Sequence, residues 1–224
     1  MIPFLGLGPL AAAGSDLILA VDGGESGANN TVYTFAGKTI AAGSDQIVSI
    51  YATRGAAFEV TLASVTVGGV TASFVGETAA STGNQRKILV YRASGVSGTS
   101  ADIVVTHDNS GANTSVVVLS VDPSVTVAVT GNQNTGSATI SASPTVSAGD
   151  TIFGHVSAGS TDTTIAWTGL DDSPPIYPKA LLAPDVFIHG AAKLEGVSAG
   201  SPTITATFGT AMNNNILSIL TLTP

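Results

Sequence analysis

Near the end of the chain Gly196, Ser198 and Gly200 spell G-x-S-x-G, the pattern that in a hydrolase can hold a nucleophilic serine on a strained turn. That chemistry needs a helix after the serine, with a histidine and a carboxylate in reach. Here a proline and strand spelling follow, "SPTITATF", and no Asp, Glu or His lies beyond Glu195. Ser97 holds the matching place in "GVSGTS" without the second glycine, and VSAG recurs at 146–149 and 156–159. Ser198 therefore reads as a turn residue, no catalytic residue is assigned, and the chain is expected not to be an enzyme.

Other residues invite metal or ligand chemistry. His107, His155 and His189 are far apart and form neither H-x-H nor HExxH, so each reads as an isolated strand histidine rather than a ligand. Asp22, Glu25 and Asn29 lie on "VDGGESGANN" and could offer hard oxygens to calcium. The spacing of a calcium loop is missing, and the stretch reads as a flexible joint. No metal and no cofactor are expected.

Asp171 and Asp172 adjoin in "LDDSPP". Adjacent carboxylates on a strand point to opposite faces, a poor geometry for shared acid–base work. In a loop beside Trp167 and Tyr177 they could instead line a sugar site, where an aromatic face meets polar groups. These four residues are the candidate glycan contacts, although a lone Trp in a sandwich is usually core. Arg92 and Lys193 fall at matching places and read as edge charges that discourage stray strand pairing.

The elements around these residues are short runs rich in Val, Ile and Thr, bounded by Gly, Asn, Asp and Ser, which is strand spelling. From Thr31 onward the expected strands are 31–35, 46–52, 60–67, 86–92, 101–107 and 114–121, then 137–142, 150–157, 163–169, 186–192, 202–208 and 215–222. "YPKALLAP" (177–184) is the one stretch that could make a short helical turn.

The two sets resemble each other. "GVSGTSADI" (95–103) matches "GVSAGSPTI" (196–204), and "VLSVDP" (118–123) matches "ILTLTP" (219–224), both at a spacing of 101. "TVGGV" (66–70) aligns with "AWTGL" (166–170), setting Trp167 against Val67, and Asp45 aligns with Asp150. The pattern is that of an internal duplication. The expectation is all-β: an antiparallel jelly-roll-type β-sandwich built from two copies, about 31–123 and 124–224, behind an N-terminal arm and joint at 1–30. Two separate immunoglobulin-sized sandwiches are the competing picture.

Composition narrows the function classes. Charged residues make up 10% of the chain and its net charge is −8, so the surface is largely neutral Ser, Thr and Asn. The seven basic residues are scattered, which excludes a phosphate-tracking patch and direct nucleic-acid binding. The chain contains no cysteine, and with it go disulfides and thiolate chemistry. "MIPFLGLGPLAAAGSD" lacks the basic start of a signal peptide and reads as an uncleaved apolar arm. No stretch is apolar enough over the length of a membrane span. Ile2, Pro3, Phe4, Leu5, Leu7 and Leu10 would anchor the arm on a neighbouring subunit.

The run "TFAGKTIAAGSDQIVSIYATRG…LASVTVGGVTASFV…NQRKILVYRASGVSGTSADIVVTH", followed by "TTIAWTGLDD…SPTITATFGT", resembles β-rich virion structural proteins of tailed bacteriophages. The likeness spans about residues 31 to 224 and is one of strand spelling and turn order. It implies a jelly-roll sandwich serving as a head decoration, spike or tail-associated component, and it carries over no functional residues. The apolar arm and the Pro-rich loop at 173–184 depart from the pattern. The implied partners are capsid or tail subunits and further copies of the chain; the alternative is a carbohydrate-binding or adhesin module on a virion or cell surface, with a host-surface glycan as its partner. The implied location is the virion.

Overall fold

Alternation of apolar residues explains where each strand goes. In β3 (Asp45–Thr53), Val48, Ile50 and Ala52 face one core while Ile47 faces another. In β9 (Thr114–Val121) the same split separates Val116 and Val118 from Val117, Leu119 and Val121. A strand buried on both faces must be apolar on both, so "TSVVVLSV" reads as a continuous run rather than an alternation.

The computed structural model describes residues 16–27, 30–53, 59–79, 86–109, 113–159, 164–171, 177–182 and 187–224. In the first half these form β1 (Ile18–Ser26), β2 (Val32–Thr39), β3, β4 (Leu62–Val67), β5 (Val70–Thr71), β6 (Ser73–Ala79), β7 (Arg86–Ala93), β8 (Ser100–His107) and β9. The second half has β10 (Thr126–Asn134), β11 (Ser137–Ala142), β12 (Thr151–Gly159), β13 (Ile165–Thr168), β14 (Tyr177–Leu182), β15 (Phe187–Leu194) and β16 (Ile204–Thr223). All pairings are antiparallel. Among the described residues no helix is long and apolar enough to cross a membrane.

The first half has an inner sheet ordered β1-β9-β3-β7-β6 and an outer sheet ordered β2-β8-β4-β5. In the second half the inner order is β10-β16-β12-β15-β14, with β11 and β13 paired to the early part of β16 as the outer layer. One core lies between the first pair of layers, around Val48, Ile103 and Val118. A second lies between the other pair, around Ile152, Ile204 and Leu217. A third fills the seam where the two inner sheets meet, with Ile47, Leu119 and Val121 from one half and Phe153, Leu220 and Leu222 from the other.

Several elements differ from expectation. Residues 18–26, expected as part of a flexible joint, form β1 and pair along the length of β9. The segment 177–182 is strand β14 rather than a helical turn, because it pairs with β15 at the sheet edge. The expected strands 202–208 and 215–222 are one continuous strand. β16 passes from the outer layer to the inner one through Asn214 at φ 55°, a left-handed conformation that Asn tolerates better than most residues. The pairing registers set Asp45 beside Val121 and Thr151 beside Leu222, and set Val65 beside Val105 and Trp167 beside Ala206.

Candidate functional site

Ser198 sits exposed in an irregular turn between β15 and β16, where Gly196 has φ 59° and Gly200 φ 153°. The turn is zipped to the VSAG at 146–149. Val146 N–H donates to Gly200 O at 2.9 Å, Gly200 N–H to Val146 O at 3.0 Å and Gly149 N–H to Val197 O at 2.9 Å. The glycines serve a backbone clasp, and the serine side chain faces solvent.

The histidines have separate surroundings. His107 is buried in the first half, with Nε2 2.9 Å from Thr114 Oγ1 and its ring 5.2 Å from that of Tyr33. His155 lies in the seam, with Nδ1 2.8 Å from Ser49 Oγ, and both residues have 0% exposure. A serine beside a histidine is the pairing of an activated nucleophile, but no substrate reaches groups with no exposed surface. The side chain of His189 lies outside the described residues. Among the described residues no three His, Cys, Asp or Glu gather as a metal would require.

Asp22 is occupied as well. Its carboxylate accepts from the N–H of Gly23 at 2.6 Å and of Thr39 at 2.7 Å, and Lys38 Nζ lies 3.7 Å away. Burial works against its ionisation, but these two N–H groups and the Lys38 charge outweigh it and hold Asp22 below its ordinary 3.8. Glu25 is exposed and Asn29 lies outside the described residues.

The four candidate glycan contacts are not brought together by what is described. Trp167 is partly buried and packs against the second core, its six-membered ring facing Gly154 so closely that a Cβ there would sit 3.1 Å from it. Its indole N–H is buried with no hydrogen-bond partner among the described residues. Asp171 is exposed and bridges to Lys193 through the backbone, N–H to O at 2.7 Å. Asp172 and the side chain of Tyr177 lie outside the described residues, as do Ile2, Pro3, Phe4, Leu5, Leu7 and Leu10.

Arg92 and Lys193 are not edge charges, since β7 and β15 are interior strands of their sheets. Arg92 clamps the connection between halves. Its Nε donates to Asp45 Oδ2 at 2.7 Å, Nη1 to Val125 O at 2.6 Å and Nη2 to Pro123 O at 2.8 Å, a use of the guanidinium fork that Lys cannot copy. Lys193 pairs with Glu195 and approaches Asp16 at 3.8 Å.

A group that sequence reasoning missed lies on β6, the edge strand of the first inner sheet. A bulge between Phe74 and Gly76 sets Phe74 opposite Tyr91 and Glu77 opposite Leu89. Tyr91, Leu89 and Lys87 alternate along β7 and share a face. Phe74 and Glu77 therefore share it too, although residues three apart on a regular strand point opposite ways. Phe74 is 55% exposed and meets Tyr91 edge-on, ring centroids 5.5 Å apart. Lys87 Nζ reaches Glu59 at 2.9 Å and Glu77 at 3.0 Å. Burial disfavours the Lys87 ammonium, but the two carboxylates outweigh it and hold its pKa above 10.5. Burial, then the charges of Glu77 and Asp108, raise Tyr91 above 10.0, with Lys87 opposing in part. The hydroxyl is thus neutral and able to donate. The only hint in the sequence was a phenylalanine in the polar stretch "TASFVGET".

Compared with known proteins, the chain matches no family model, no curated protein and no solved structure.

Proposed function

We propose that this protein is a non-enzymatic structural component of a bacteriophage-like virus particle, docking on capsid or tail subunits through the apolar segment Ile2–Leu10. The observation that carries the reading is the root of that segment. Leu17 and Ile18 are buried in the seam between the halves, at 6% and 3% exposure. The apolar run that precedes them in sequence is thereby tied to the seam, which suits an attachment that must hold under strain. The neutral, hydroxyl-rich surface suits broad contacts with like subunits.

We read each half as a jelly roll and the chain as a tandem duplication. The inner order β1-β9-β3-β7 against the outer order β2-β8-β4-β5 supports the first. Matching strand orders support the second, together with Ala20-Val21-Asp22-Gly23 in β1 and Ala128-Val129-Thr130-Gly131 in β10. Val21 pairs with Leu119 as Val129 pairs with Leu220.

The test is quantitative mass spectrometry of density-purified, nuclease-treated particles from the source organism. Hundreds of copies per particle mean a lattice-wide decoration, and about six or twelve mean a vertex or tail position. Absence from particles sinks the proposal and leaves the alternative, a glycan-binding or adhesin module, which the exposed Phe74 favours.

A further inference from the structure

The β6 ledge has the parts of a saccharide subsite. Sugar recognition needs an accessible aromatic face for the C–H side of the ring and fixed polar groups for its hydroxyls. Phe74 supplies the face, and the edge-on contact with Tyr91 fixes its angle. Glu59 and Glu77 keep 51% and 38% of their side chains exposed while Lys87 holds them in place. The strand itself is stiff, because its opposite side is backed by β10, where Gly76 and Thr78 press on Val129 and Gly131. Charge selects the class of sugar. Among the described residues, Glu59, Glu77 and Asp108 against Lys87 leave the ledge acidic, which repels sialylated or sulfated glycans.

We propose that Phe74, Tyr91, Glu77, Glu59 and Lys87 form a binding subsite for a neutral or amino-bearing saccharide ring. The inference rests on the glycan-binding reading, independently of particle assembly, and it relocates that reading from Trp167 to the opposite half of the chain.

The full-length protein is applied to an array of neutral, amino-bearing and sialylated oligosaccharides, alongside Phe74→Ala, Phe74→Tyr and Trp167→Ala. Thermal melts accompany each variant; the exposure of Phe74 means that its substitution leaves the fold intact. The expected result is retention of neutral or amino-bearing glycans that falls by at least about tenfold in Phe74→Ala and survives in Phe74→Tyr and Trp167→Ala. Glycan binding that ignores Phe74→Ala overturns this subsite while leaving the glycan-binding reading standing, as does binding confined to sialylated glycans. An array with no hits in any class removes both.

Discussion

Ser49 and His155 occupy the same place in the two halves and meet each other across the seam, Oγ to Nδ1 at 2.8 Å. Ser49 is flanked by Val117 and Val90, and His155 by Ser218 and Ala191, the residues 101 positions further on. The edges follow the same logic, since β6 packs beside β10 and β1 beside β14. The two inner sheets thus meet face to face, with this hydrogen bond in the seam between them. The pair sits in a seam that also buries Ser115, Ser157 and Ser218, beside the apolar side chains of Ile47, Leu119, Phe153 and Leu220.

Ser49→Ala removes the hydrogen bond from a site with no access to water, and is expected to cost about 1–3 kcal/mol. Ser97→Ala, an exposed turn hydroxyl, serves as the control and stays within about 0.5 kcal/mol. Urea unfolding of both variants decides the matter. Equal midpoints would mean that the pair contributes nothing. The double change Ser49→Val with His155→Leu recovers most of the loss, because it replaces both partners with apolar groups.

Alkaline pH should loosen the β6–β7 edge. Lys87 and Tyr91 both have folded pKa values above their ordinary 10.5 and 10.0. The folded state therefore holds these protons more tightly than the unfolded chain. The stabilisation is complete below pH 10 and is lost as pH rises through the folded values. Lys87→Met leaves Glu59 and Glu77 facing each other and costs about 1–3 kcal/mol at neutral pH. That is less than for a fully buried pair, because both carboxylates reach solvent. Unfolding midpoints should regain part of that loss in acid, as the carboxylates protonate; a pH-independent deficit would show that lost packing, not charge, is the cause.

Asp22 gives the opposite sign at the acid end. Its folded pKa lies below 3.8, so its contribution is present above that value and disappears as pH falls through the folded one. The effect is local to the junction of β1 and β2. Hydrogen exchange at the Gly23 and Thr39 amides should accelerate selectively in acid beyond the intrinsic pH trend. Asp22→Asn should show faster exchange there already at pH 7. Unchanged protection of both amides in that variant would dismiss the carboxylate as their anchor.

Strands such as β3, β8, β9 and β12 were legible because β-branched residues recur between turn formers, a local signal. β1 and β6 were not. Each is interrupted by glycines, at 23, 24 and 76, that a propensity argument counts against a strand. Those glycines are there for contact with other layers: a Cβ at Gly24 would lie 2.7 Å from Phe35, and one at Gly76 would lie 3.1 Å from Val129. The Ser49–His155 bond, the Arg92 clamp and the Phe74 ledge join residues far apart in the chain through sheet order and a bulge. No window of sequence contains them.

A tight contact between the edge strands of the two halves gives the sharpest test of the seam. At Gly131 in β10 an added Cβ would lie 2.7 Å from the Cβ of Thr78 in β6, well inside van der Waals contact. Gly131→Ala should therefore push the two edge strands apart and cost about 1–3 kcal/mol. Glycine's weakness in strands works the other way and would favour Ala by a few tenths. The measured sign thus reports which effect wins. Thr78→Ala alone should be mild, since it removes only the outer atoms of that side chain. Combined with Gly131→Ala it should restore part of the loss, because it clears the hydroxyl and methyl that the new group meets. A double mutant whose deficit equals the sum of the singles, measured by urea unfolding, would mean that β6 and β10 do not press on each other in solution. Non-additive rescue would show that the ledge strand is braced by the second half.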